Sequence, residues 1–196
     1  MVPELSDTEK EKLAERIARS VEYAPFRKGR YDLKRFDLPF YKNAGDVLIK
    51  CFTTRPVITK EYICDDEHVF ETDGEAETLD EINKALSLTL NAENVAAYTS
   101  FYFRKVAIDD SFAQLVFKAD DIFNDQFGAE LRDNLNSLIS APEIRKTKEG
   151  FIVSGFVLLE DTLFKADIAV SSSGSVNVQN EEIVYEALPT QRIMLR

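Results

Sequence analysis

The sequence predicts an α+β protein: a curved antiparallel sheet that ends in a four-strand meander, with helices packed on one face. Two patterns carry this expectation. Residues 143–187 break into four short apolar runs separated by turn signals near Glu149-Gly150, Glu160-Asp161 and 172–174. Upstream, strand-like and helical stretches come in groups rather than in strict β-α-β alternation, which favours antiparallel pairing over a doubly wound parallel sheet.

The first element is a helix. Ser6 followed by Glu9 is a capping box, and Leu13, Ile17 and Val21 recur behind it at helical spacing, so a helix is expected over 7–23, closed by Pro25. Its apolar stripe is thin among many charges, which places it on the surface. Residues 25–45 read as an irregular connector of unusual composition. Arg27, Lys28, Arg30, Lys34, Arg35 and Lys42 stand against Asp32 and Asp37, a local charge of +4 that leaves −15 on the rest of a −11 chain. Phe26, Tyr31, Phe36, Phe40 and Tyr41 are interleaved with those charges.

A hairpin is expected from 46–52 and 57–63 around Thr54-Arg55-Pro56, with Cys51 opposite Lys60 and a short third strand at 67–71. Thr78 with Glu81 opens a helix that carries Leu79, Ile82, Leu86 and Leu90 on one face. Asn91 caps the next, over 92–106, with Val95, Tyr98, Tyr102 and Val106 at spacings of three and four. Residues 111–118 alternate as a strand, and Leu131, Leu135, Leu138 and Ile139 mark a further helix that Pro142 closes. In the meander, the runs at 151–153 and 156–159 are apolar on both faces, as a central strand requires. Alternation over 163–170 groups Phe164, Ile168 and Val170 with Phe156, Leu158, Leu86 and Tyr102 in one core.

The chain therefore divides into an N-terminal helix (1–24), a basic and aromatic connector (25–45), an α+β domain (46–189) and a tail (190–196). In shape the domain is similar to cystatin-like and nuclear-transport-factor-like cones. A hairpin ahead of the helix pair and a helix interrupting the sheet depart from both orders, so the similarity covers outline only.

Composition narrows the function classes. A chain of 196 residues can bury roughly 70% of its unfolded surface and needs neither metal nor disulfides to fold. Its acidic balance opposes phosphate and anionic lipid, so neither nucleic acid nor membrane is expected as a partner. The N-terminus has no leader pattern and no stretch is long and apolar enough to span a bilayer, which points to a cytoplasmic protein with Cys51 and Cys64 as free thiols.

Chemical signatures are sparse. Cys64-Asp65-Asp66-Glu67-His68 holds the only histidine and offers a thiolate, three carboxylates and an imidazole. Structural zinc takes four Cys or His ligands, whereas the whole chain has three such residues, and neighbours in a strand point to opposite faces. Asp65, Asp66 and His68 are the metal candidates, and a polar turn without metal or cofactor is the reading preferred over them. No P-loop, G-x-G-x-x-G, G-x-S-x-G or H-E-x-x-H pattern occurs, and no catalytic residue is assigned.

A non-enzymatic module that binds a protein or self-associates is the resulting expectation. Arg27, Lys28, Arg30, Tyr31 and Arg35 in the connector and Ile193, Met194 and Leu195 in the tail are its interaction candidates, because Arg and aromatics dominate binding hot spots. The connector's charge suits an acidic partner or a second copy of the chain. The rival is a small-molecule-binding or enzymatic cone with a pocket between the aromatic helix and the sheet, lined by Tyr98, Tyr102 and Phe164.

Overall fold

A computed structural model describes residues 5–26, 30–108, 110–124 and 127–189. They form four α-helices and ten strands in antiparallel sheets, an α+β fold. The chain divides into two compact units: Met1–Asp73 with Lys84–Leu88, and Gly74–Asn83 with Thr89–Arg196.

The first unit is built on a four-stranded sheet in the order β1 (Tyr31–Asp37), β2 (Gly45–Cys51), β3 (Ile58–Cys64) and β4 (Val69–Phe70). Helix α1 (Asp7–Ser20) covers one face. Its N-terminus is the expected capping box, with the Glu9 carboxylate accepting from the Ser6 N–H at 2.9 Å and the Ser6 hydroxyl accepting from the Glu9 N–H at 3.4 Å. The helix stops at Ser20, before the expected end, because Val21 turns extended and packs back on the core. Nor does α1 merely lie on the surface. Ala14, Ile17 and Ala18 are buried in one cluster with Leu33, Val47, Ile49, Cys51, Tyr62 and Cys64. Two alanines add little to an apolar stripe, yet their small side chains let the helix sit close to the sheet.

Two further expectations change here. Tyr31–Asp37 is a strand, not part of an irregular connector. Only Leu33 of its seven residues is buried, so charged neighbours mask the alternation. The β2–β3 register also differs: Cys51 stands opposite Ile58, and Lys60 opposite Ile49. The Thr54 hydroxyl sets the longer turn, donating to the Cys51 carbonyl and accepting from the Ile58 N–H.

The second unit carries α2 (Ala76–Ala85, whose last two residues belong to the first unit), α3 (Val95–Lys105), β5 (Ala107–Ile108), β6 (Ser111–Val116), α4 (Ala129–Leu138), β7 (Glu143–Lys146), β8 (Gly150–Leu159), β9 (Thr162–Ser171) and β10 (Val176–Tyr185). Its six-stranded sheet runs β10-β9-β8-β6-β5 with β7 also on β8, and it curls into a half-barrel. Strands β7 to β10 are the meander.

Strand register separates two buried faces. Phe156 and Leu158 lie opposite Lys165 and Leu163, and they join Val116, Leu135, Ile139 and Leu188 in a cluster beneath α4. Phe164, Ile168 and Val170 lie opposite Val157, Val153 and Phe151, so they belong to the other face. The single core expected for these residues is therefore split, and Leu163, fully buried, takes the place assigned to the half-buried Phe164. Helix α3 packs along β6 and β8.

Candidate functional site

Sheet edges are where a β-rich surface can still make backbone hydrogen bonds. Among the described residues, most edges are short or broken. β4 and β5 have two residues each and β7 has four. β10 is longer but loses register twice, between Gln179 and Glu182 and between Ile183 and Tyr185. Asn180, at positive φ, donates to Asp167 at 3.0 Å and pins the first irregularity. β1 is the exception: seven residues pair with β2 without a break.

The bonds that bracket β1 show which of its groups face outward. The Phe52 N–H donates to the Arg30 carbonyl at 3.0 Å, and the Leu38 N–H donates to the Ala44 carbonyl at 3.1 Å. Hydrogen-bonded and non-bonded pairs alternate along an antiparallel ladder. Arg30, Asp32, Lys34, Phe36 and Leu38 therefore spend their backbone groups on the β2 side. Tyr31, Leu33, Arg35 and Asp37 turn theirs away from the sheet.

A groove of about 700 Å³ runs beside this edge. Asp7, Lys10 and Glu11 of α1 form one wall, and Tyr31, Leu33 and Phe52 line the other, with Arg30 and Asp32 at the strand side. A smaller hollow of about 300 Å³ continues past Tyr31 between Ala14, Glu15 and Phe26. Burial, followed by the nearby Glu11 and Glu15 carboxylates, pushes the Tyr31 hydroxyl up from its ordinary value. Phe36 and Phe52 are about half exposed, at 51% and 50%, and the Lys50 ammonium stands over the Phe52 ring. The patch is apolar at its centre and mixed in charge at its rim, not uniformly basic.

Of the interaction candidates, Arg30 is exposed and Tyr31 half-buried at this edge. Arg35 is also half-buried. Its guanidinium donates to the Asn43 carbonyl at 2.9 Å and its side chain lies over Gly45. Arg27, Lys28, Ile193, Met194 and Leu195 fall outside the described residues. The groove residues Asp7, Glu11, Leu33 and Phe52 were not legible beforehand, since an edge exists only once the strand order is known. A weak signal was present in the alternation of Tyr31, Leu33 and Arg35 with Asp32, Lys34 and Phe36.

The pocket candidates do not sit alike. Tyr98 is fully buried; its hydroxyl accepts from the Asn83 amide and donates to the Gly174 carbonyl, both at 2.8 Å. Tyr102 is 8% exposed on the same helix, and Phe164 is half-buried on β9. The Tyr98 phenol is thus a structural tie between α2, α3 and the β9–β10 turn.

Asp65, Asp66 and His68 form a turn. One Asp65 oxygen accepts from the N–H groups of Glu67 and His68 at 2.8 and 2.6 Å, and the His68 Nδ1 lies 3.3 Å away. Burial pushes the Asp65 carboxyl up, but these donors outweigh it and hold the group below the ordinary carboxylate value. Among the described residues, no three His, Cys, Asp or Glu side chains converge as a metal site, and no helix is long and apolar enough to cross a membrane.

No family model, no curated protein and no solved structure matches this chain.

Proposed function

We propose that this protein is a non-enzymatic recognition module that takes up an extended polypeptide segment as an added strand on β1. The observation that supports it is the unbroken β1–β2 pairing, with the backbone groups of the half-buried Tyr31 and Arg35 facing away from β2 beside a groove walled by α1. In strand addition, main-chain hydrogen bonds supply affinity and the adjacent hollows select alternate side chains. Its place is the cytoplasm, a reading that rests on the two buried free thiols, Cys51 and Cys64.

Amide hydrogen exchange tests the reading. The outward N–H groups of Tyr31 and Arg35 should exchange quickly in the monomer and become protected when a peptide selected from a random display library binds. Selected peptides that protect neither of these two amides would refute strand addition at β1.

A further inference from the structure

Resting on the reading of this groove as a polypeptide-binding site, we infer that the segment it takes is basic. One lysine or arginine side chain of that segment lies along Tyr31, with its charge held between Glu11 and Glu15. The charges of α1 decide the sign. Asp7, Glu11 and Glu15 recur at spacings of four, so they share one stripe of the helix, the stripe turned to the groove and its hollow. Residues 25–45 carry a charge of +4, yet around the groove itself the carboxylates of Asp7, Glu11 and Asp32 outnumber the cations of Lys10 and Arg30. Asp7 and Glu11 make no ion pair among the described residues. Glu15 pairs with Arg19 at 3.1 Å, but both side chains are exposed, so that bond contributes little and yields to a guest cation.

The apolar part of the path suits the stem of such a side chain. Past Tyr31 the hollow is lined by Ala14 and Ala18, whose small side chains leave room beside α1, and by Phe26. The Phe26 and Tyr31 rings meet edge to face, 6.0 Å between centroids. Long basic side chains cover apolar surface with their methylenes while the charged head stays at water, and a cation over an aromatic ring gains further attraction. Glu11 and Glu15 both lie close enough to the Tyr31 hydroxyl to oppose its ionisation, which places them at the end of the ring where the head arrives. An acidic segment would instead meet repulsion there, on a chain of net charge −11. The same field steers a basic one inward. The contact needs neither the backbone of Leu33, which is 1% exposed, nor the Arg35 side chain, which lies over Gly45.

Peptides that differ only in charge test the occupant. A short labelled peptide alternating threonine with arginine should bind at least about tenfold more tightly, by anisotropy, than the same peptide with glutamine in place of arginine. The glutamate version should bind more weakly still. Glu11→Lys with Glu15→Lys, at two exposed helix positions, should abolish the preference for arginine. Glu181→Lys with Glu182→Lys on β10 changes the net charge equally and should leave that preference in place. Amide exchange at Tyr31 and Arg35 separates the occupant from its mode of binding. Arginine-dependent binding that needs Glu11 and Glu15 yet protects neither amide would overturn strand addition and keep the basic occupant. Library-selected peptides that protect both amides but carry no basic residue, or arginine binding that survives the Glu11 and Glu15 reversal, would overturn the basic occupant and leave strand addition standing. A preference for the glutamate peptide, or self-association of the wild type in sedimentation that protects Tyr31 without peptide, would assign the groove to another occupant and overturn it as well.

Discussion

Replacing Tyr98 by Phe removes one oxygen from a fully buried side chain and breaks two hydrogen bonds. The Asn83 amide loses its acceptor and the Gly174 carbonyl loses its donor, each bond 2.8 Å long. A buried hydrogen bond contributes about 0.5–1.5 kcal/mol net, so the loss of two should make Tyr98→Phe cost about 1–3 kcal/mol. Tyr62 supplies the opposite case. Its ring is 1% exposed, and its hydroxyl has no hydrogen-bond partner among the described residues. Burial, with Glu71 and Cys51 adding to it, pushes that phenol far above its ordinary value. Tyr62→Phe deletes a polar atom that gains nothing in the fold, so it should be neutral or stabilise by about 1 kcal/mol. Urea melts of both variants beside the wild type give the difference directly. Equal losses for the two, or a Tyr98→Phe loss below about 0.5 kcal/mol, would refute the reasoning from hydrogen-bond partners.

Three further outcomes follow from the same structure. A Cβ at Gly150 would press on the backbone carbonyl of Val170, which cannot swing aside, whereas one at Gly45 meets the Arg35 side chain, which can. Denaturant melts should therefore show Gly150→Ala losing about 3 kcal/mol and Gly45→Ala about 1 kcal/mol. The Asp65 carboxyl is held below its ordinary value, so it stabilises the fold above the unfolded value near 4 and loses that contribution as pH falls through the folded value. Asp65→Asn should accordingly flatten the acid limb of a stability–pH curve. Cys51 and Cys64 are buried, and burial raises both thiols, at Cys64 despite the nearby Arg16 and Arg35. Their reaction with an aromatic disulfide reagent should track global unfolding, and fast labelling of the native protein would contradict the packing.

The meander was legible because its signals are local. Glu160 and Gly174 adopt positive φ at two of the turns, and β8 is apolar on both faces. The face assignment within it was not legible. β9 carries apolar residues on both sides, Leu163 on one and Ile168 and Val170 on the other, so alternation alone cannot say which set meets Phe156. β1 escaped for a related reason: a strand at an edge keeps its charges, and Lys34 and Arg35 make it read as a linker. The candidate site was visible in part, as a basic and aromatic patch around Arg30 and Tyr31. Its defining property, a strand at the end of the sheet order, depends on strand order, which no residue encodes by itself.

The order of synthesis gives α1 an unusual position. Its buried partners lie in β1, β2 and β3, and β3 ends roughly forty residues after Ser20, so at cellular translation rates the segment waits about 2 to 8 seconds for its sheet. A fourteen-residue helix is marginal in water without a surface to dock on. Its apolar content, largely Leu13, Ala14, Ile17 and Ala18, gives a chaperone or another nascent chain little to hold. The same economy that makes α1 look like a surface helix lets it remain solvated until the strands emerge, with the Ser6–Glu9 cap marking where the first turn forms.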